Sequence, residues 1–73
     1  MRISDIERTI ALVNVLLAVR NGEVIPKRRP SHVASWALQE AISLEYVTAS
    51  VPFQVTGVGR AYLEHIGEWH DDA

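Results

Sequence analysis

The stretch from Ser31 to Leu63 constrains the fold of this chain more than any other. Apolar residues at three- and four-residue spacing predict a helix from Ser31 to about Glu45, with Ser31 as its N-cap: Val33, Ala37, Leu38, Ala41 and Ile42. From Tyr46 to Thr56, β-branched and aromatic residues alternate in polarity around Pro52, which predicts a two-stranded β-hairpin with Phe53 and Val55 facing inward. A further helix is expected after Thr56. The predicted fold is therefore α+β but mainly α, a compact domain with three helices and one hairpin.

The first helix has clear signals at both ends. Ser4-Asp5-Ile6-Glu7 is a capping box, and Asn21-Gly22 is a common stop signal. Its apolar residues cover two faces, with Ile6, Ile10, Val13 and Leu17 on one and Leu12, Leu16 and Val19 on the other. A helix this apolar must either be wrapped by other elements or share its surface with a second copy. A homodimer through helix 1 is thus one of two alternatives.

The cationic side chains cluster at Lys27-Arg28-Arg29, in the connection between the first two helices. Pro26 and Pro30 bias their preceding residues away from helical geometry, so we expect a loop here. Three interpretations remain open for this basic loop: a solvated loop, a clamp on nucleic-acid phosphates, or a contact with an acidic protein patch.

The last predicted helix opens with Thr56-Gly57-Val58-Gly59-Arg60-Ala61-Tyr62-Leu63, a T-x-x-G-R-x-x-L element directly after the hairpin. Residues 31 to 66 resemble the second half of a winged helix-turn-helix domain of the MarR/PadR-like kind. The resemblance implies that helix 31–45 enters the major groove of duplex DNA. The residues that it implies for base contacts are Ser31, His32, Ser35, Trp36 and Gln39. It also implies a wing at 46–56, which has no lysine or arginine and is therefore expected to be structural or to suit an uncharged partner surface.

Length and composition allow one domain over residues 1–73 and disfavour several functions. The chain has no cysteine, which excludes a disulfide scaffold and fits a reducing cytoplasm. Its longest apolar run, Ile10 to Val19, falls short of the roughly 20 residues of a membrane span. We find no recognised nucleophile, metal-ligand or phosphate-loop spacing, and we expect neither an enzyme nor a cofactor.

Charge is distributed unevenly along the chain. Residues 1–30 carry six basic and three acidic side chains, whereas residues 31–73 carry one basic and six acidic side chains. A polyanion-binding surface normally spreads lysine and arginine over its contact face, so the acidic second half disfavours a monomer that grips DNA alone.

Two hypotheses for function stand nearly level. In the first, the chain is a small non-catalytic transcription regulator that binds duplex DNA through helix 31–45, with the basic loop 27–29 on flanking phosphates. In the second, the same fold binds a protein, with Trp36, Tyr46 and Phe53 as contact candidates and the basic loop on an acidic patch of the partner. It would then be similar in kind and size to phage-encoded regulators or inhibitors that attach to host machinery such as RNA polymerase or a CRISPR complex.

Overall fold

Three helices follow one another in a computed structural model of the chain, which describes residues 4–25 and 28–69. Helix α1 spans Asp5–Arg20, α2 spans Ser35–Ser43 and α3 spans Gly57–His65. The longest helix, α1, contacts both of the others.

Both ends of α1 confirm the sequence prediction. The Ser4 hydroxyl accepts a hydrogen bond from the Glu7 amide at 3.1 Å, which satisfies one of the free amides of the first turn. At the other end Asn21 is the C-cap, and Gly22 takes the left-handed conformation with φ of 74°. Glycine adopts this conformation without the steric cost that a Cβ atom brings.

Helix α2 begins four residues later than predicted, so Ser31 as its N-cap is wrong. The N-cap is Ala34, with extended backbone and no side-chain cap hydrogen bond. Residues 30–33 instead form a turn in which the Val33 amide donates to the Pro30 carbonyl at 3.0 Å. This turn buries the Val33 side chain completely. Val33 therefore reaches the core from a turn and not from the face of a helix.

The predicted β-hairpin is wrong, and with it the α+β fold class. Among the described residues the structure has no β-strand; residues 46–56 form one isolated antiparallel bridge between Val47 and Val55. The Thr48 amide donates to the Gln54 carbonyl at 2.9 Å. After this hydrogen bond, the Thr48 side chain takes the place of the next backbone acceptor. The Thr48 hydroxyl accepts from the Gln54 amide at 3.0 Å and lies 3.3 Å from the Pro52 carbonyl. Because Pro52 also lacks an amide hydrogen, cross-strand pairing stops there.

One hydrophobic core joins the three helices. Leu16 of α1, Leu63 of α3 and Val33 are fully buried, and Val47 from the segment after α2 joins them. Small residues on α2, Ala37 and Ala41, are also fully buried, which fits the close approach of this helix to α1. Leu38 and Ile42 are half-buried against the same core, so the predicted inward face of helix 2 is confirmed.

Helix α3 starts where the sequence predicts and is fixed by its first turn. The Thr56 hydroxyl accepts from the Gly59 amide at 3.1 Å and donates to the Glu45 carbonyl. Gly59 lies so close to the preceding segment that a Cβ atom there would be 2.2 Å from the Tyr46 carbonyl oxygen. The Tyr46 ring stacks on the Tyr62 ring with centroids 4.9 Å apart. Glycine at 59 therefore allows α3 to pack against the segment that follows α2.

Candidate recognition groove

Two backbone hydrogen bonds pair Ile25 with Arg28 beside α2. The Ile25 amide donates to the Arg28 carbonyl and the Arg28 amide donates to the Ile25 carbonyl, each at 3.0 Å. Val24, immediately before Ile25, is buried in the core with 5% of its surface exposed. The buried Val24 side chain and the two hydrogen bonds together fix the positions of Ile25 and Arg28.

The loop, α2 and Phe53 enclose a groove of about 390 Å³, which we call the recognition groove. Its residues are Val24, Ile25, Arg28, Arg29, Ser35, Leu38, Gln39 and Phe53. Four of them bring hydrogen-bonding or cationic side chains, four are apolar, and none of them is acidic. The groove therefore combines two guanidinium groups with an apolar floor.

The groove brings together part of the predicted contact set. Arg28, Arg29, Ser35 and Gln39 line it, and all four are exposed. Lys27, the third predicted cation, lies outside the described residues.

The other predicted contacts lie outside the groove lining. Ser31 and His32 are exposed in the turn before α2, and Trp36 is 39% exposed on α2. On a helix with about 100° between successive residues, Trp36 faces roughly 100° away from Ser35. The structure thus divides the predicted contacts among the groove, the turn before α2 and a neighbouring face of α2.

Sequence reasoning missed most of the apolar half of the groove. Leu38 was predicted only as a core residue, whereas Phe53 was predicted as an inward residue of the hairpin and as a contact candidate for a protein partner; both line the groove. Both are half-buried, so one part of each side chain packs on the core while another part faces the groove. The signal available in the sequence was the adjacent apolar pair Val24-Ile25 beside the basic loop; the structure buries Val24 and leaves Ile25 48% exposed.

The first turn of α2 favours negative charge. Its N-cap makes no side-chain hydrogen bond, and no acidic residue lies in that turn. The amides of a first helical turn carry the positive end of the helix dipole. Ser35, the first residue of α2, lines the same groove as the two arginines, so the dipole and the guanidinium groups act in the same place.

Residues 4–25 and 28–69 contain no group of three or more histidine, cysteine, aspartate or glutamate side chains placed to hold a metal ion. Within the same ranges, no helix is both long and apolar enough to cross a bilayer.

Comparison with protein-family models, with curated proteins and with solved structures finds no match to this chain. The residues that line the recognition groove are the observation that bears on its function.

Proposed function

We propose that this chain is a non-catalytic, cytoplasmic regulator that acts by binding a segment of a partner protein in the recognition groove. The observation that carries the proposal is the pairing of Arg28 and Arg29 with the apolar side chains of Ile25, Leu38 and Phe53. A peptide segment with a carboxylate next to an apolar side chain matches both halves of this groove. The carboxylate pairs with a guanidinium through charge-assisted hydrogen bonds, and the apolar side chain fills the floor.

The charge distribution favours a protein over a polyanion as the ligand. Arg60 is the one basic residue between positions 31 and 73, and its guanidinium Nε donates to Glu64 at 2.9 Å. The segment 46–56, which a wing would place on phosphates, has no basic residue. The cationic side chains that line the groove are Arg28 and Arg29 alone, and two guanidinium groups suit a few carboxylates better than a long phosphate backbone.

A second candidate function is duplex DNA binding by the outward face of α2. Ser35 and Gln39 are exposed on this helix beside the two arginines, and glutamine is a good partner for the major-groove edge of adenine. This candidate treats Arg28 and Arg29 as phosphate contacts and gives the apolar floor no role.

Fluorescence anisotropy with two labelled probes distinguishes the candidates. The first probe is a pool of short peptides composed of aspartate, glutamate, leucine and phenylalanine, and the second is a random-sequence duplex at low and moderate salt. We expect the peptide pool to bind and the duplex to bind weakly or not at all. Duplex binding that falls steeply on a log-log plot against salt, without peptide binding, would support the DNA candidate and overturn the proposal.

Matched variants assign the binding to the groove. Arg28→Glu should abolish peptide binding, whereas Arg20→Glu makes the same change of charge at the end of α1 and should leave it unchanged. Phe53→Ala removes part of the floor and should weaken the peptide but not any residual duplex binding. If Phe53→Ala keeps full affinity while circular dichroism shows a folded protein, the apolar floor does not take part in recognition.

A further inference from the structure

Helix α1 exposes two large apolar side chains that the fold leaves uncovered. Ile6 is 73% exposed and Ile10 is 55% exposed, and together with Asp5 and Thr9 they border a shallow depression on the helix surface. Isolated apolar residues on a surface are ordinary, but two isoleucines one turn apart form a continuous patch.

The patch continues along α1 as a straight stripe. Ile6, Ile10, Val13 and Leu17 follow a spacing of four, three and four residues, which keeps them within an arc of roughly 60° on a helix of 3.6 residues per turn. Val13 and Leu17 are half-buried, so the stripe is open at its first half and partly covered at its second. The residues of α1 that form the core face the opposite way: Leu12, Val15, Leu16, Ala18 and Val19.

We infer that a second copy of this chain docks on this stripe, with the two α1 helices antiparallel about a two-fold axis. A spacing that alternates three and four residues is the pattern that lets two helices pack along a shared seam. In the antiparallel register, Ile6 of one copy lies level with Leu17 of the other, and Ile10 lies level with Val13. The exposed half of each stripe thereby meets the partly covered half of the other.

The charges at the two ends of α1 attract each other across the seam when the two helices are antiparallel, but not when they are parallel. Asp5 and Glu7 lie in the first turn and Arg20 lies in the last. Antiparallel pairing brings Arg20 of one copy within about half a turn of Asp5 in the other, and the two-fold axis repeats the contact. Parallel pairing would set like charges and like helix dipoles side by side.

The size of the stripe sets the strength of this dimer. Stable interfaces bury about 800 Å² per partner, and two largely exposed isoleucines with two half-buried neighbours supply much less. The dimer is therefore reversible and concentration-dependent. No residue of α1 lines the recognition groove, so the stripe and the groove are separate surfaces.

Sedimentation velocity across a wide concentration series tests the inference. The wild-type protein should shift from monomer towards dimer as its concentration rises. Ile10→Glu puts a charge in the seam and should raise the dissociation constant at least about tenfold. Val58→Glu is the matched control, because Val58 is 52% exposed, close to the 55% of Ile10, but lies on α3. It should leave the association unchanged.

A charge exchange tests the antiparallel register. Asp5→Arg and Arg20→Asp should each lose self-association, since each creates two like-charge pairs. An equimolar mixture of the two variants should associate, because every pair across the seam is again opposite in charge. A wild-type protein that stays monomeric at the highest concentration would overturn the inference and leave the patch to another partner. Equal loss in Val58→Glu, or no association in the mixture, would also overturn it.

Discussion

Replacing Gly59 by alanine should destabilise the protein, because α3 packs on the preceding segment through the missing side chain of this glycine. The added Cβ would lie 2.2 Å from the Tyr46 carbonyl oxygen and 3.0 Å from a methyl group of Val55. It must retreat by about 1 Å to reach ordinary van der Waals separation. The carbonyl cannot move freely, since it also accepts from the Thr56 amide at 2.9 Å.

Three contributions set the size of the effect. Overpacking of this kind costs about 1–3 kcal/mol. Weakening the hydrogen bond from the Thr56 amide to the Tyr46 carbonyl costs about 1 kcal/mol more. The higher helix propensity of alanine stabilises the folded protein by about 1 kcal/mol and offsets part of this loss. The expected loss in the free energy of unfolding is about 2 kcal/mol, which for a domain of this length lowers the melting temperature by about 8–16 °C.

Thermal and urea unfolding followed by circular dichroism measure this loss, and Gly57→Ala is the matched control. Gly57 also lies in the first turn of α3, but a Cβ there meets no atom within 4 Å. Gly57→Ala should therefore be neutral or stabilising by up to about 1 kcal/mol. Equal effects of the two substitutions, or a Gly59→Ala protein as stable as wild type, would refute the packing of α3 on Tyr46.

Further predictions concern the helix ends, the core and the groove. Ala34→Asp should add a capping hydrogen bond to α2 and raise the free energy of unfolding by about 1 kcal/mol. The new carboxylate should also compete with acidic peptides and lower their affinity. Unchanged peptide affinity would show that the first turn of α2 takes no part in binding. Leu63→Ala should cost about 2–5 kcal/mol in urea unfolding because Leu63 is fully buried, whereas Val58→Ala should cost under about 0.5 kcal/mol. Trp36→Ala should weaken peptide binding by about 2 kcal/mol if this exposed ring anchors the partner beside the groove, and equal affinity in anisotropy titrations would confine the interface to the groove.

Local rules predicted the helix ends that depend on a few neighbouring residues. The Ser4 cap, the Gly22 stop and the Thr56 cap each need only residues within one turn, and the structure has all three.

Features that depend on distant contacts were not predictable in the same way. The start of α2 was wrong because the core takes Val33 from a turn, a choice that periodicity does not reveal. The hairpin was wrong because the Thr48 hydroxyl takes the place of backbone partners. Alternating polarity at 46–56 showed which side chains face inward but not how many backbone hydrogen bonds would form.

In the recognition groove, too, some residues could be predicted from the sequence and others depend on distant contacts. Arg28 and Arg29 stood out in the sequence as members of its cationic cluster, and Ser35 and Gln39 were contacts that the winged-helix resemblance implied. Phe53 was a contact candidate for a protein partner, but only the packing of residues 46–56 brings it beside the basic loop. Which apolar face of α1 enters the core was also open, since both faces have helical spacing and only the position of α2 and α3 decides between them.

Amide chemical-shift mapping tests the central claim most directly, because it shows which surface a ligand touches. The ¹⁵N-labelled protein is titrated with the acidic and apolar peptide pool and, separately, with the random-sequence duplex. The proposal predicts that the peptides shift the amides of Arg28, Ser35, Gln39 and Phe53 and leave α3 unchanged, and that Arg28→Glu removes these shifts. Shifts confined to other surfaces, or shifts in the groove with the duplex alone, would contradict it.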